Sequence, residues 1–422
     1  MELAGHIETQ PWMTAPGTRA VFDALCAEGA VVRIVGGAVR DAVIGRADSH
    51  TEIDIATPDG PETVTRLLEA AGLRAVPTGI KHGTVTAVAA HRPFEITTLR
   101  HDVETDGRHA TVAFIDDWAA DAARRDFTMN ALYCDPDGTL YDPVGGLADL
   151  KAGRVRFIGD GPTRIDEDAL RVLRFFRFHA RYGSGAPDRD AVAACRAKAA
   201  AVATLSGERV GSEMLKLLAV ATPGAALDLM IEAGVMAHVL PGVSGIDGLA
   251  ALCRAEAGTP DGLRRLAMLL RPGGDAMEAA QRLRLSNDQR DRLITMAEPA
   301  PEVDPVVAGL DPLTQRRILY RIGAAPFIDL VYLAWAEAAF HAQRDAEAMA
   351  SPYDAMIAAA RDWPAPTLPV KGADVMALGV APGPEVGRLL TAVEDWWIAG
   401  DFQADRDETL VRLKQLAAAT DV

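Results

Sequence analysis

Val35-Gly36-Gly37-Ala38-Val39-Arg40-Asp41, followed by Glu52-Ile53-Asp54-Ile55-Ala56-Thr57, decides how the chain is read. Val31, Val32, Ile34 and Val35 form a short β-branched run, and Ala38 to Ile44 repeats at helical spacing, so the segment predicts strand, glycine turn and helix. Adjacent glycines allow a tight turn with open amide hydrogens, and the following helix start adds partial positive charge. Gly36 and Gly37 therefore form a candidate anion seat, and Arg40 adds a forked donor set for phosphate oxygens. Glu52 to Ala56 is Ile-rich and bounded by a polar loop and Pro58, which predicts a strand. Side chains alternate along a strand, so Glu52 and Asp54 share one face while Ile53 and Ile55 enter the core. Two hard oxygen ligands beside a phosphate cradle suit Mg²⁺.

These two motifs together resemble the head of the class II CCA tRNA nucleotidyltransferase and bacterial poly(A) polymerase family. The family normally has Asp-x-Asp where this chain has Glu52-Ile53-Asp54. Glu is one methylene longer and must retract to hold the same metal. The resemblance implies that Glu52 and Asp54 are catalytic metal ligands.

Further along, Glu62 to Ala71 predicts a helix ending at Gly72, and Thr84–Ala89 and Phe94–Leu99 predict two strands. Glu95 is the lone carboxylate of that apolar pair, and the family resemblance makes it a third catalytic acid. His101 to Asp117 turns polar and loses periodicity, which predicts a loop; relatives have a flexible specificity loop here. Arg124-Arg125-Asp126-Phe127-Thr128-Met129-Asn130 offers phosphate donors and hydroxyl partners within a few residues. It matches a family stretch, which implies that Arg125, Asp126 and Asn130 bind the nucleotide, the last two at the ribose. Asp135-Pro136-Asp137-Gly138 predicts a hairpin turn.

Thr163 to Arg177 reads as one helix with Thr163 as its N-cap. Asp168, Arg171 and Arg174 recur on it, with Glu167 one turn before Arg171 and Val172, Leu173, Phe175 and Phe176 on the other side. Glu167-Asp168-x-x-Arg171 resembles the family's base-selecting motif. Cytosine and adenine each present an exocyclic amine beside an acceptor ring nitrogen; uracil and guanine present a carbonyl beside a ring N–H. An Asp that accepts and an Arg that donates therefore accept C and A and reject U and G, since a mismatch leaves buried groups unpaired. In this reading Glu167 holds Arg171, and Arg174 completes the nucleotide-binding set.

Downstream the chain predicts helices. Glu208 to Leu218 resembles the family's neck helix, residues 224–240 form an amphipathic segment, and Gly/Pro-rich joints fall at 258–260, 299–305 and 363–369. Leu368 to Asp374 and Pro382 to Arg388 resemble the family's tail, which contacts tRNA, and Lys371 and Arg388 suit phosphate contacts. Trp396 and Trp397 read as tail core. No His-Asp pair resembles the phosphohydrolase module that some relatives append.

At 422 residues the length predicts two or more structural units. Abundant alanine with 5% aromatics favours helices. Cys26, Cys134, Cys195 and Cys253 have no paired spacing and no His partners, which speaks for reduced thiols and a cytoplasmic protein rather than disulfides or zinc. No apolar run spans a membrane, and Met1 to Pro16 lacks the layout of a secretory signal. The formal charge of −16, from 43 basic and 59 acidic residues, stands against RNA binding by bulk charge, so any RNA must be met by local basic clusters.

The expected fold is α+β: a nucleotidyltransferase (polymerase β-like) head with a small mixed sheet at 1–155, then a helical neck at 156–220, body at 221–300 and tail at 301–422. The resemblance implies CCA addition to tRNA 3′ ends from CTP and ATP with Mg²⁺, releasing pyrophosphate. A poly(A) polymerase shares the head, and a non-catalytic RNA-binding relative is the other alternative, favoured by Glu52 alone.

Overall fold

The computed structural model describes the chain apart from residues 2, 48–50, 106–109, 302, 304–305, 307–308 and 420–422. Its contacts divide it into two compact units, Met1–Gly245 with Arg282–Arg284, and Ile246–Gln281 with Leu285–Val422. Residues 221–300, expected as one body, contribute to both.

The first unit is built on a mixed sheet of eight short strands. In chain order its β-strands are β1 (Leu3–His6), β2 (Arg33–Val35), β3 (Asp54–Thr57), β4 (Arg74–Gly79), β5 (Thr84–Ala89) and β6 (Arg92–Thr98), then β7 (Arg100–Thr105), β8 (Ala110–Phe114), β9 (Tyr133–Cys134) and β10 (Thr139–Tyr141). The spatial order is β1-β10-β9-β2-β3-β6-β5-β4, with β3 and β6 parallel and the other neighbours antiparallel. The parallel pair sets Asp54 directly beside Glu95 and Ile55 beside Ile96. Ile34, Ile55, Val85, Phe94 and Ile96 are buried on the core side. Helices Pro16–Leu25 and Pro61–Ala70 pack against β5 there, each burying the apolar stripe of an amphipathic sequence.

Five local expectations are corrected. β3 begins at Asp54, so Glu52 lies ahead of the strand, although the alternation persists: Glu52 and Asp54 are exposed, Ile53 and Ile55 buried. The predicted loop after His101 is largely ordered, because β7 and β8 pair as a separate two-stranded antiparallel ribbon; its tip lies outside the described residues. The predicted helix from Thr163 is two helices, Gly161–Glu167 and Leu170–Tyr182, because Asp168 takes an extended conformation (φ −153°, ψ 103°). The N-cap is Asp160, whose carboxylate accepts from the Thr163 N–H at 3.0 Å and from the Thr163 hydroxyl. The amphipathic segment at 224–240 likewise divides into Gly224–Glu232 and Met236–Val239.

An aromatic cluster fixes helix Leu170–Tyr182 to the sheet-bearing part of this unit. Phe127 lies 5.0 Å from Phe157 and 5.2 Å from Phe178 between ring centroids, and Phe175 stacks on Phe157 at 6.0 Å. Rings packed at such distances hold their elements in one register. The second unit is helical among its described residues, with long helices at Ala324–His341 and Pro384–Ala399. Its last segment closes around Val370, Val375, Leu389, Val393 and Leu413, with Trp396 packed on that cluster and Trp397 buried, as the tail-core reading expects.

Candidate active site

Gly36 ends β2 with φ +75°, a left-handed value that an L side chain rarely adopts, and helix Gly37–Val43 starts immediately after it. A side chain built on Gly36 would approach the Asp54 carboxylate and one Arg125 nitrogen at 4.0 Å. The glycine turn, the acid and the arginine therefore border one space.

The acids are unmatched. Among the described residues no hydrogen bond or ion pair reaches the side-chain carboxylates of Glu52, Asp54 or Glu95. The Asp54 side chain reaches solvent, yet the crowd of protein around it pushes its carboxyl up to about 6, with the Glu95 and then Glu52 charges adding to the rise and Arg125 and Arg40 opposing it. No group of three or more His, Cys, Asp or Glu among the described residues is gathered into a ready metal cage. The donor chemistry nonetheless fits a divalent cation. Hard oxygens of like charge set close together with no internal partner are relieved by a cation placed between them.

Behind the acids the arginines are locked. Asp121 is buried and accepts from Arg124 Nε at 2.8 Å, Arg125 Nη2 at 2.9 Å and the Tyr133 hydroxyl at 2.7 Å. Burial alone would raise the Asp121 carboxyl, but Arg125 and Arg124 outweigh it and hold it at about 2. Asp126 accepts from Arg174 Nε at 2.7 Å, Asn130 Nδ2 at 2.9 Å and the Phe127 amide at 2.8 Å. Arg174 and Asn130 likewise overcome burial and keep its pKa low. Arg40 is buried: it donates to Asn130 Oδ1 at 2.6 Å and to Asp41 at 2.9 Å, with its guanidinium 4.2 Å from the Tyr182 ring centroid. Arg40, Asp126, Asn130 and Arg174 thus form one chain of contacts beside the glycine turn.

The base-selecting candidates meet the same lattice. Arg171 donates to Glu167 at 2.6 Å, so Glu167 does hold Arg171, and it also donates to the carbonyls of Arg164 at 2.8 Å and Arg124 at 3.1 Å. Asp168 accepts from the Leu170 amide at 3.1 Å and from Arg209 Nη2 at 2.8 Å. Lys371 and Arg388 belong to the other unit; both are exposed, and Arg388 is bonded to Glu385 one turn away at 2.5 Å.

Sequence reasoning did not name Asp121, Tyr133 or Arg209. Asp121 carries a usable signal, since it precedes Arg124 and Arg125 by three and four residues on one helical turn. Tyr133 and Arg209 carry none, because their partners come from other elements.

A glycine turn, unmatched acids on adjacent strands and a braced arginine lattice are the working parts of a nucleotidyltransferase. Residues 32–156 match the family model "Poly A polymerase head domain", and residues 186–246 match "Probable RNA and SrmB- binding site of polymerase A". The mitochondrial CCA tRNA nucleotidyltransferase 1 of Danio rerio is 33% identical over 91% of this chain and 87% of its own length. The CCA-adding enzyme of Geobacillus kaustophilus is 40% identical over 50% of each chain. In three dimensions, the crystal structure of the Bacillus stearothermophilus CCA-adding enzyme in complex with CTP aligns with a TM-score of 0.74 and 26% identity, over 97% of this chain and 99% of that one. The chain belongs to the CCA tRNA nucleotidyltransferase family.

Proposed function

We propose that this chain adds C, C and A to the 3′ end of tRNA from CTP and ATP, releasing pyrophosphate at each step. The observation that carries this reading is the Asp54–Glu95 pair, set side by side on parallel strands with carboxylates that have no internal partner, Asp54 bordering the glycine turn. The relatives named as CCA-adding supply the RNA end and the nucleotides. Nucleotidyltransferases of this family use a divalent metal. Glu52, Asp54 and Glu95 would hold it here, and Mg²⁺ suits their hard oxygens. When bound, such an ion lowers the pKa of the attacking 3′-hydroxyl and neutralises charge on the leaving pyrophosphate.

The remaining roles fall to the chain's own residues. Gly36 and Gly37 let the triphosphate approach the backbone, and Arg125, held by Asp121 and Tyr133, presents positive charge to it. Arg40, Asp126, Asn130 and Arg174 hold the ribose side of the pocket in one geometry. Asp168 and Arg171 read the base edge, Asp168 exchanging its contact to Arg209 for the exocyclic amine. Lys371 and Arg388 contact the RNA backbone, and the segments 1–155, 156–220, 221–300 and 301–422 act as head, neck, body and tail. All four cysteines are free, which supports a reducing compartment and, in our reading, the cytoplasm. No helix among the described residues is long and apolar enough to cross a membrane.

The test supplies one labelled nucleotide at a time to a tRNA lacking its 3′ end. Incorporation of C, C and A followed by a stop is expected; A-tailing that ignores CTP would make the protein a poly(A) polymerase instead. Glu52→Asp should retain or raise the rate. If wild type and Glu52→Asp are both inert with Mg²⁺ and Mn²⁺, the chain is an RNA binder and not an enzyme.

A further inference from the structure

A second basic concavity lies in the first unit, distinct from the acids and the arginine lattice. Its volume is about 780 Å³. Arg177 and Arg181 come from helix Leu170–Tyr182, Lys216 from helix Gly207–Leu218, and Arg46 from the segment after helix Gly37–Val43. Among the described residues no acidic side chain lines it, in a chain whose net charge is −16.

The four cations are held to different degrees. Arg177 is bonded to Glu213 at 2.6 Å, which spends most of its charge inside the protein. Arg181 is half exposed, its nearest carboxylate being Asp41 at 3.7 Å. Arg46 donates to the Arg181 backbone carbonyl at 2.8 Å, a contact that fixes its direction without neutralising it. Lys216 is exposed, and no ion pair involves it among the described residues. Among the described residues the cleft thus keeps positive charge that is unpaired at Arg46 and Lys216 and only loosely paired at Arg181, on three separate elements. The rest of its wall is Ala180, Gly183, Ala219, Val220, Ala221 and Thr222. That wall has no aromatic ring on which a base could stack and no side-chain amide to read a base edge, so it suits phosphates and sugars, not bases.

We infer that this cleft, through Arg46, Arg181 and Lys216, docks the phosphodiester backbone of the RNA substrate without regard to its sequence. The inference rests on the tRNA nucleotidyltransferase reading and locates an RNA contact within the unit that carries the acids. Of these three cations only Lys216 falls inside the segment whose family description mentions RNA. Sequence-blind backbone docking is what an enzyme acting on many RNAs with one common end requires. It also resolves the conflict of an acidic protein with an acidic partner, because a local positive surface sets binding and the bulk charge does not.

The experiment measures binding of two tRNAs of different acceptor-stem sequence, each lacking its 3′ end, by fluorescence anisotropy across a salt series. It compares wild type, Arg181→Ala/Lys216→Ala, and the exposed surface variant Arg66→Ala as control. Thermal melting verifies that each is folded, and CCA addition by wild type is followed in parallel. The double variant should bind both RNAs roughly tenfold more weakly, with a log K against log[salt] slope shallower by about 1.5, as expected for two lost phosphate contacts. Arg66→Ala should match wild type. Unchanged affinity and slope in the double variant, while wild type binds and extends RNA, would overturn the cleft and leave the enzymatic reading intact. Weakening of one RNA only would overturn the backbone assignment in favour of base recognition. A wild type that neither binds nor extends either RNA would remove both readings together.

Discussion

Two clusters of charge, one in each unit, are built on opposite plans. In the helical unit, Glu256 accepts from Arg264 at 2.9 Å and Arg265 at 2.7 Å, and Asp329 accepts from Arg264 at 3.0 Å and Arg292 at 2.7 Å. Arg292 also reaches Asp261 at 2.6 Å. Every acid there is matched, and Glu256 and Asp329 are buried. Beside the glycine turn of the first unit, Asp54 and Glu95 stand side by side with nothing to match them, and the Asp54 pKa rises to about 6. A buried charge without a partner is costly, which is why Glu256 and Asp329 are matched, whereas Asp54 and Glu95 are exposed to solvent and stay open to an incoming cation. The first cluster holds the fold together; the second is, in our proposal, where nucleotide and metal are met.

Removing an acid from each cluster tests that contrast most severely. Asp54→Ala should reduce nucleotide transfer below detection while the melting temperature stays at or above that of wild type. A melting temperature that falls instead would place Asp54 among the structural charges. Asp329→Ala should do the reverse, lowering stability by about 3–4 kcal/mol in urea denaturation, because it strands two arginines. Pocket chemistry should be little changed in whatever remains folded. An Asp329→Ala protein as stable as wild type would mean that matching is incidental.

Base selection sharpens the comparison within the first unit, where matched and exchangeable contacts coexist. Asp168→Ala and Arg171→Ala should each lower discrimination of C and A against U and G by roughly one to two powers of ten, on the order of 1–3 kcal/mol. Arg171→Ala should also lower stability, since that side chain holds Glu167 and two backbone carbonyls. Single-nucleotide incorporation rates decide this; unchanged preference in both variants would move base reading elsewhere.

The smallest effect is a pH dependence. The folded Asp54 pKa lies above the ordinary carboxylate value, so ionising it costs stability. The cost is absent below about pH 4, where both states are protonated, grows between about 4 and 6, and is complete above 6. Asp54→Asn should therefore stabilise the protein at pH 7.5 by at most ~1 kcal/mol, allowing for solvent screening at an open site, and not at all near pH 4. Asp121 has the opposite sign. Its depressed pKa adds stability at neutral pH that is lost as pH falls from about 4 toward 2. Melting curves across that range separate the two.

Periodicity made much of this legible in the sequence. β5 runs from Thr84 to Ala89 as predicted, Glu95 shows as a carboxylate in an apolar strand, and Gly36 takes the positive φ its turn requires. What stayed hidden depends on partners distant in sequence. Asp168 breaks the predicted helix where its carboxylate engages Arg209, 41 residues on, and no local pattern marks that break. The β7–β8 ribbon was hidden because β7 (Arg100–Thr105) is mostly polar in sequence and the two strands pair only with each other, apart from the main sheet. The matching of charges that separates the two clusters is likewise a property of the folded chain, invisible in a count of acids and bases.

Arg171 has a consequence for anyone who would retune this protein to incorporate other bases. Its guanidinium is tied at once to the Glu167 carboxylate and to the carbonyls of Arg164 and Arg124. A lysine offers one point charge and cannot serve those three directions from a planar fork. Specificity here is therefore not a dial with independent settings. If Arg171 reads the base as we propose, redesign has to supply new partners for Glu167 and for the Arg164 and Arg124 carbonyls together with any change at position 171, and a library that varies position 171 alone will trade stability against altered preference.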